Sequence, residues 1–248
     1  MQHDPLFDST ENQALLVVCA RKTIRNAAIA GIIWGAINLF IGIAAAQVNP
    51  INIGLVALGC LMLATGVVAL TKPSLHGLLS EAVVSLLLLA WNAGVTVLNV
   101  RAGAPNISPH GLIWPLVAAV IFFKQYVKLG HLKEAIRSMN HATVKEATGL
   151  CKQLFKSKLK ASPDIAEASS RRWRMRLMSD AVFCVQRNLG RAFYMNRAHF
   201  QSCVLDPNRK KLRVVVRHPL GKLTYAFDKK NSEKIRDWLN APAAPQPS

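Results

Sequence analysis

Long stretches without charge constrain this chain more than any other feature of its sequence. No charged residue occurs between Arg25 and Lys72, and a short polar link at 47–50 divides that stretch into two halves. A helix rises 1.5 Å per residue, so roughly 20 apolar residues cross the hydrocarbon core of a bilayer, about 30 Å thick. Each half is long enough, and the stretch therefore predicts two membrane-spanning helices rather than part of a water-soluble globule.

The same criteria predict four spans in all. The third contains a single acidic residue, Glu81, and the fourth begins next to Pro109, which the first turn of a helix accepts. The predicted spans cover residues 27–46, 51–70, 75–100 and 108–127. Together they predict a membrane α-helical bundle over residues 27–127, preceded by an N-terminal arm of residues 1–26.

Basic residues are distributed very unevenly along the chain and predict its orientation. Only five of the 31 Lys and Arg residues precede residue 124, so nearly all of the formal net charge of +18 lies in the second half. The N-terminal arm carries three of those five, and the link between the first two spans carries none. Because loops on the cytoplasmic side are enriched in Lys and Arg, and an even number of spans returns the chain to the same side, we expect both termini in the cytoplasm.

A polar stripe follows one side of the third predicted span. Its members, which fall within about 60° of one another on a helix, are Glu81, Ser85, Asn92, Thr96 and Asn99. Polar groups that face lipid are costly, so the stripe is expected to face other helices or water. The first span offers a complementary helix-packing face with Gly31, Gly35, Asn38 and Gly42, whose spacing lets two helices approach closely and sets Asn38 to hydrogen-bond to Asn92. The stripe is either a contact between helices or a path for a substrate or proton that uses Glu81.

Two segments connect the spans to the C-terminal part of the chain. Residues 128–160 are predicted to form a basic amphipathic helical connector, because apolar residues recur there at helical spacing, with a break near Gly130 or Asn140. Residues 161–170 contain Ser-Pro and Ser-Ser pairs and are predicted to be a linker. The Ala- and Pro-rich tail, 241–248, is predicted to be disordered.

Beyond residue 170 the apolar period changes from 3.6 residues to 2. Residues 172–177 alternate strictly between Arg and an apolar residue. Further short strands bounded by turn residues are predicted at 181–186, 191–195, 199–205, 211–217 and 223–227. A closing helix, with Asn231 or Ser232 as its cap, would place Trp238 on its buried side. Residues 171–240 therefore predict a cytoplasmic α+β domain, an antiparallel β-meander with a C-terminal helix.

A membrane-tethered meander of six or seven strands that ends in a helix with a buried Trp238 resembles the pleckstrin-homology-like (PH-like) domains attached to bacterial membrane proteins. The resemblance covers about residues 168–240 and rests on strand order and the closing helix. It implies that the helix closes one end of a curved sheet, that the domain binds lipid or protein, and that the protein resides in a bacterial inner membrane. The Ser179-Asp180 turn is shorter than the phosphate-binding loop of the family members that hold inositol phosphates.

Alternation in two of the strands places rows of basic residues opposite the apolar face. The rows are Arg172, Arg174 and Arg176 in the first strand, and Lys211, Arg213 and Arg217 in the fifth. Both are predicted to lie on solvent-facing sheet. Basic residues near an anionic leaflet contribute on the order of 1 kcal/mol each, over a Debye length of about 8 Å. We therefore expect the rows to bind anionic lipid headgroups, a protein partner, or both; the alternative is that the charge serves only orientation and solubility.

Sequence patterns for catalysis or metal binding are absent. No GxSxG, HExxH, P-loop or GxGxxG motif occurs, so we predict no enzyme activity, no cofactor and no metal, and we do not expect nucleic acid as a partner. The predicted function is an integral membrane anchor or scaffold, with anionic membrane lipids and a protein partner or a second copy of the chain as its contacts. Two alternatives remain open: a small oligomeric channel or transporter that uses the polar stripe, and a structural subunit of a larger membrane complex.

Overall fold

The computed structural model of the protein describes residues 10–103, 110–138, 141–156, 166–169, 173–178, 181–186, 191–205, 211–218 and 220–241. The helices in these ranges are α1 (Thr10–Val48), α2 (Ile53–Thr71), α3 (Leu75–Arg101), α4 (His110–Leu129), α5 (Lys133–Ser138), α6 (His141–Lys156), α7 (Arg197–Ser202) and α8 (Lys229–Asn240). The strands are β1 (Ala166–Ser169), β2 (Trp173–Leu177), β3 (Ala181–Gln186), β4 (Ala192–Asn196), β5 (Val204–Leu205), β6 (Arg213–His218) and β7 (Gly221–Ala226).

The chain divides into two compact units. Residues Arg21–Arg137 form one, which we call the helical unit. Residues Met1–Ala20 and Ser138–Ser248 form the other, which we call the β unit. Helix α1 contributes residues to both units, because the division falls between Ala20 and Arg21.

Within the described residues, four helical stretches are long and apolar enough to cross a membrane, which confirms the predicted number of spans. They cover Asn12–Val48, Pro50–Thr71, Leu75–Arg101 and Gly111–Ser138. The last includes a 3-10 turn, Gly130–Leu132, close to the predicted break near Gly130. The first helix begins at Thr10 rather than near residue 27, since residues 10–26 contain neither Gly nor Pro to interrupt a helix.

Capping side chains set the helix ends at the polar links that the sequence predicts. The Asn49 side chain accepts a hydrogen bond from the Ile51 amide at 3.1 Å and starts the 3-10 turn Pro50–Asn52 that leads into α2. The Ser74 hydroxyl accepts from the Gly77 amide at 3.3 Å at the start of α3. These caps satisfy backbone amides that have no partner within the first turn of a helix.

Among its described residues, the β unit contains two antiparallel sheets. One has the strand order β1-β2-β3-β4 and the other has the order β5-β6-β7. In the first sheet Met175 lies opposite Cys184 and Arg176 lies opposite Phe183. In the second sheet Val216 lies opposite Leu223 and Arg217 lies opposite Lys222. The predicted period of 2 is thus confirmed in β2 and β6, where alternate residues are buried.

Aromatic side chains from both sheets and α8 build the core of the β unit. The Trp173 ring lies 5.8 Å from Tyr225 and 4.8 Å from Phe227, both in edge-on contacts. Trp238 of α8 packs against Phe200 of α7 at 5.8 Å. Edge-on aromatic pairs stabilise a core by about 0.5–1.5 kcal/mol beyond their buried area.

Several segments of the β unit differ from the sequence predictions. The predicted linker at 161–170 contains β1, an edge strand whose weak propensity is overridden by its pairing with β2. Residues 199–205, predicted as a strand, begin within α7, because the Asn196 side chain accepts from the His199 amide at 2.8 Å and starts a helix. Asp228, rather than Asn231 or Ser232, caps α8. The tail at 242–248 lies outside the described residues.

Candidate functional site

Four basic side chains share the outward side of β6 and β7, and we call them the basic face. They are Lys211, Arg213, Arg217 and Lys222, all exposed. Arg213 and Arg217 alternate with buried Val214 and Val216 along β6. Lys211 is two residues before Arg213 and follows the same alternation. The structure therefore places the second predicted row on an exposed face of sheet.

Lys222 belongs to the basic face but is missing from the sequence prediction. It lies directly opposite Arg217 in the pairing of β6 with β7. The signal was present, because the same alternation that buries Leu223 and Tyr225 places Lys222 outward.

The basic face carries a net positive charge. Its other outward positions within the strands β5–β7 are Leu205, Val215, Thr224 and Ala226, none of them acidic. Beyond the strands, the same register sets the exposed Asp228, the cap of α8, opposite Lys211. Within the described part of the chain, none of the four basic side chains has an ion pair. Like charges directly opposite each other destabilise a sheet, so the Arg217–Lys222 pair costs free energy unless an anionic partner offsets it.

The first predicted row has different surroundings. Arg174 and Arg176 are half-buried, and Arg172 lies outside the described residues. Helix α6 packs against β2 and β3, and Val185, opposite Arg174 on the same side of the sheet, is buried. The prediction of a solvent-facing row is therefore corrected for Arg174 and Arg176, because packing within the β unit leaves both side chains only half-exposed.

The start of α1 is a part of the β unit that the sequence did not reveal. Residues 14–20 are at most 4% exposed. The Asn12 side-chain amide donates to the Tyr194 carbonyl at 2.7 Å, and its oxygen accepts from the Tyr194 amide at 2.8 Å. Strand β4 is an edge strand, and Asn12 thereby satisfies the Tyr194 amide and carbonyl, which no neighbouring strand pairs.

Buried titratable groups in the β unit favour their neutral forms. Burial raises the pKa of the Cys184 thiol to about 12 and raises that of Cys151 to about 12. Burial likewise raises the pKa of the Tyr225 hydroxyl, which lies beside Cys184. Because the thiolate is the nucleophile and the metal ligand, Cys184 and Cys151 are structural side chains at neutral pH.

The predicted polar stripe of α3 changes its surroundings along the helix. Glu81 and Ser85 are buried, Asn92 and Thr96 are half-buried, and Asn99 is exposed. Ser85 donates to the Glu81 carbonyl at 2.8 Å, and Thr96 donates to the Asn92 carbonyl at 2.7 Å. Because these two hydroxyls bond within their own helix, the stripe does not form one continuous polar path.

Hydrogen bonds of the two asparagines differ from the expected Asn38–Asn92 pair. Asn92 donates across to the Gly111 carbonyl of α4 at 2.7 Å. Asn38 donates to the Trp34 carbonyl of its own helix at 2.8 Å. The prediction for this pair is therefore wrong: each amide bonds to a nearby backbone carbonyl instead.

The glycine face of α1 is buried and lies against α2 and α3. A β-carbon at Gly35 would lie 2.9 Å from the Leu63 amide nitrogen, and one at Gly42 would lie 2.8 Å from that of Val56. A β-carbon at Gly31 would lie 2.7 Å from the Glu81 carboxyl group. The absence of side chains at these positions therefore lets α1 approach its neighbours closely.

No group of three or more His, Cys, Asp or Glu side chains suited to a metal ion occurs among the described residues. Comparison with known proteins adds no further constraint: no family model matches the chain, and neither a curated protein nor a solved structure matches it significantly. Among the described residues, the basic face and the Glu81 region are thus the two places where geometry points to a function.

Proposed function

We propose that this protein is an integral membrane anchor whose β unit is a PH-like domain that binds anionic lipid headgroups through the basic face. Both termini would lie in the cytoplasm, and the membrane would be a bacterial inner membrane. The observation that carries the proposal is the basic face itself, four exposed cations with no carboxylate among the outward positions of β5–β7.

The architecture of the β unit supports the PH-like assignment. In the described part of the β unit, seven antiparallel strands in two sheets precede a C-terminal helix. Trp238 of that helix is 9% exposed, and its indole nitrogen donates to the Met178 carbonyl at the end of β2. A closing helix fastened to the sheet in this way is the arrangement that the sequence resemblance implies.

Because the β unit is tethered to the membrane, even weak contacts between the basic face and anionic lipid would be enough to orient it. Each basic residue near an anionic surface contributes on the order of 1 kcal/mol. Removal of Arg213 and Arg217 should therefore weaken association by about 2 kcal/mol, or roughly 30-fold. Four helices in the same chain would already hold the domain near the bilayer, so the contacts need only fix its orientation.

Acylation of Lys222 in the full chain tests the proposal. The protein is placed in nanodiscs of phosphatidylcholine alone or with added phosphatidylglycerol, and modification of Lys222 is followed by mass spectrometry. We expect phosphatidylglycerol to slow the modification, and added salt to restore it, because screening weakens the contact.

A charge-matched pair of variants separates the basic face from net charge. Arg213→Gln with Arg217→Gln should abolish the slowing, whereas Lys229→Gln with Lys230→Gln, at two exposed positions in the first turn of α8, should preserve it. A Lys222 rate that is the same in both kinds of nanodisc would refute lipid binding by this face. An equal effect of the two double variants would show that only total charge matters.

A further inference from the structure

The Glu81 carboxyl group lies where three helices meet in the helical unit. Glu81 of α3 is 0% exposed. A β-carbon at Gly31 of α1 would lie 2.7 Å from its carboxyl carbon, and one at Gly66 of α2 would lie 3.1 Å from Oε1. Side chains at either position would collide with the carboxyl group, so the two glycines create the space that it occupies.

Hydrogen bonding around this carboxyl group is incomplete. The Thr65 hydroxyl lies 3.2 Å from Glu81 Oε1. Oε2 is buried and has no hydrogen-bond partner among the described residues. A carboxylate can accept about four hydrogen bonds, so a single hydroxyl leaves most of its capacity unused in a buried setting.

Thr65 has two alternative acceptors for its single hydroxyl hydrogen. Its oxygen also lies 3.1 Å from the carbonyl oxygens of Leu61 and Met62, one turn earlier in α2. If the hydroxyl donates to that backbone, the contact with Oε1 joins two acceptors unless Glu81 supplies a hydrogen. If it donates to Oε1, Glu81 can be ionised. Thr65 and Glu81 can therefore hydrogen-bond to each other whether the Glu81 carboxyl group is protonated or ionised.

We propose that Glu81 and Thr65 form a proton-binding site within the helical unit, with the hydroxyl reorienting as the carboxyl group gains or loses its proton. In the protonated state Oε1–H donates to Thr65 Oγ1, which donates to the backbone. In the ionised state the proton has left for solvent and Thr65 Oγ1–H donates to Oε1. This site is independent of the basic face and of lipid binding by the β unit.

The other titratable residues of the surrounding helices are few. The contacts described above bring only Gly31, Gly66 and Thr65 to the carboxyl group from α1 and α2. The titratable and charged residues on the helices of this site and on α4, which packs against α3, are Glu11, Cys19, Arg21, Lys22 and Arg25 of α1, Cys60 of α2, Lys72 after it, His76 and Arg101 of α3, and His110, Lys124, Tyr126 and Lys128 of α4. Glu11 is the one acid among them and belongs to the part of α1 that lies in the β unit, so Glu81 is the one carboxyl group of α2, α3 and α4.

Infrared spectroscopy measures this protonation directly in the full-length protein. The chain is solubilised in a maltoside detergent that has no carbonyl group, and difference spectra are recorded across pH. We expect a pH-dependent carbonyl stretching band of a buried, weakly hydrogen-bonded carboxyl group, at higher frequency than the bands of the exposed carboxyl groups, that is lost in Glu81→Gln. Thr65→Val, which keeps the side-chain shape and removes the hydroxyl, should retain the band but shift its frequency.

Two controls keep the outcome clear. Glu146→Gln removes an exposed carboxyl group of α6 and should leave the band unchanged. Circular dichroism shows whether each variant keeps its helix content, and Thr65→Val provides a test even if Glu81→Gln does not fold. Identical carboxyl-region difference spectra for the parent protein and Glu81→Gln would overturn the proposal, as would a band whose frequency ignores Thr65→Val.

Discussion

The contact between Asn12 and strand β4 gives a prediction that can be worked out from the structure. Asn12→Leu keeps a side chain of similar size and removes both hydrogen bonds to the Tyr194 backbone, at 2.7 and 2.8 Å. A hydrogen bond contributes about 0.5–1.5 kcal/mol net, so the loss should cost about 2 kcal/mol. If the Tyr194 amide exchanges when this contact opens, its hydrogen exchange should accelerate roughly 30-fold.

Hydrogen exchange followed by mass spectrometry on the detergent-solubilised full chain is the assay. The peptide that contains β4 reports on Tyr194, and peptides from α2 and α3 serve as internal references. Asn26→Leu, which changes an exposed asparagine of the same helix, should leave the β4 peptide unchanged. Unaltered protection of Tyr194 in Asn12→Leu would refute the view that residues 10–20 stabilise the edge of the sheet.

Further expectations concern helix contact and pH. A β-carbon at Gly59 would lie 2.7 Å from the Leu39 amide nitrogen, whereas one at Gly94 would have no neighbouring atom within 4 Å. Gly59→Ala should therefore lower the free energy of unfolding by about 1–3 kcal/mol, and Gly94→Ala should be neutral or slightly stabilising. Thermal unfolding in detergent measures both effects. Alkaline pH should destabilise the β unit, because the pKa values of Cys184 and Tyr225 are raised from 9.0 and 10.0 in the folded state. Their contribution is complete below pH 9. Above its unfolded-state pKa each group then loses about 1.4 kcal/mol per pH unit, so unfolding near the Trp173 cluster, followed by tryptophan fluorescence, should become easier from pH 9 upward. A β unit equally stable at pH 8 and pH 11 would contradict this assignment.

Hydropathy and alternation predict most of the architecture because they report local burial. Four spans and the period of β2 and β6 follow from such patterns. Contacts between distant segments are not encoded in this way. The partnership of Asn12 with Tyr194 joins residues 182 positions apart, and no window of sequence contains both.

The candidate sites show the same division between local and distant effects. The outward positions of Arg213 and Arg217 follow from alternation within β6 alone. The half-burial of Arg174 depends on how distant segments of the β unit pack around β2, which alternation within β2 does not predict. Glu81 was identified as the ionisable member of its stripe, but its glycine neighbours on α1 and α2 become visible only when the three helices are brought together.

The β unit is built from two separate segments of the chain, Met1–Ala20 and Ser138–Ser248, and this has a consequence for its synthesis on the ribosome. Asn12 is translated 182 residues before its partner Tyr194. At about 5–20 residues per second, the first segment waits roughly 10 to 40 seconds before the strand that it borders exists. During that interval the apolar residues 14–20 have no sheet to cover them, which makes them a natural target for chaperones. A nascent chain that stalls after the fourth span would present this uncovered segment continuously, and cellular quality control could recognise it as unfinished.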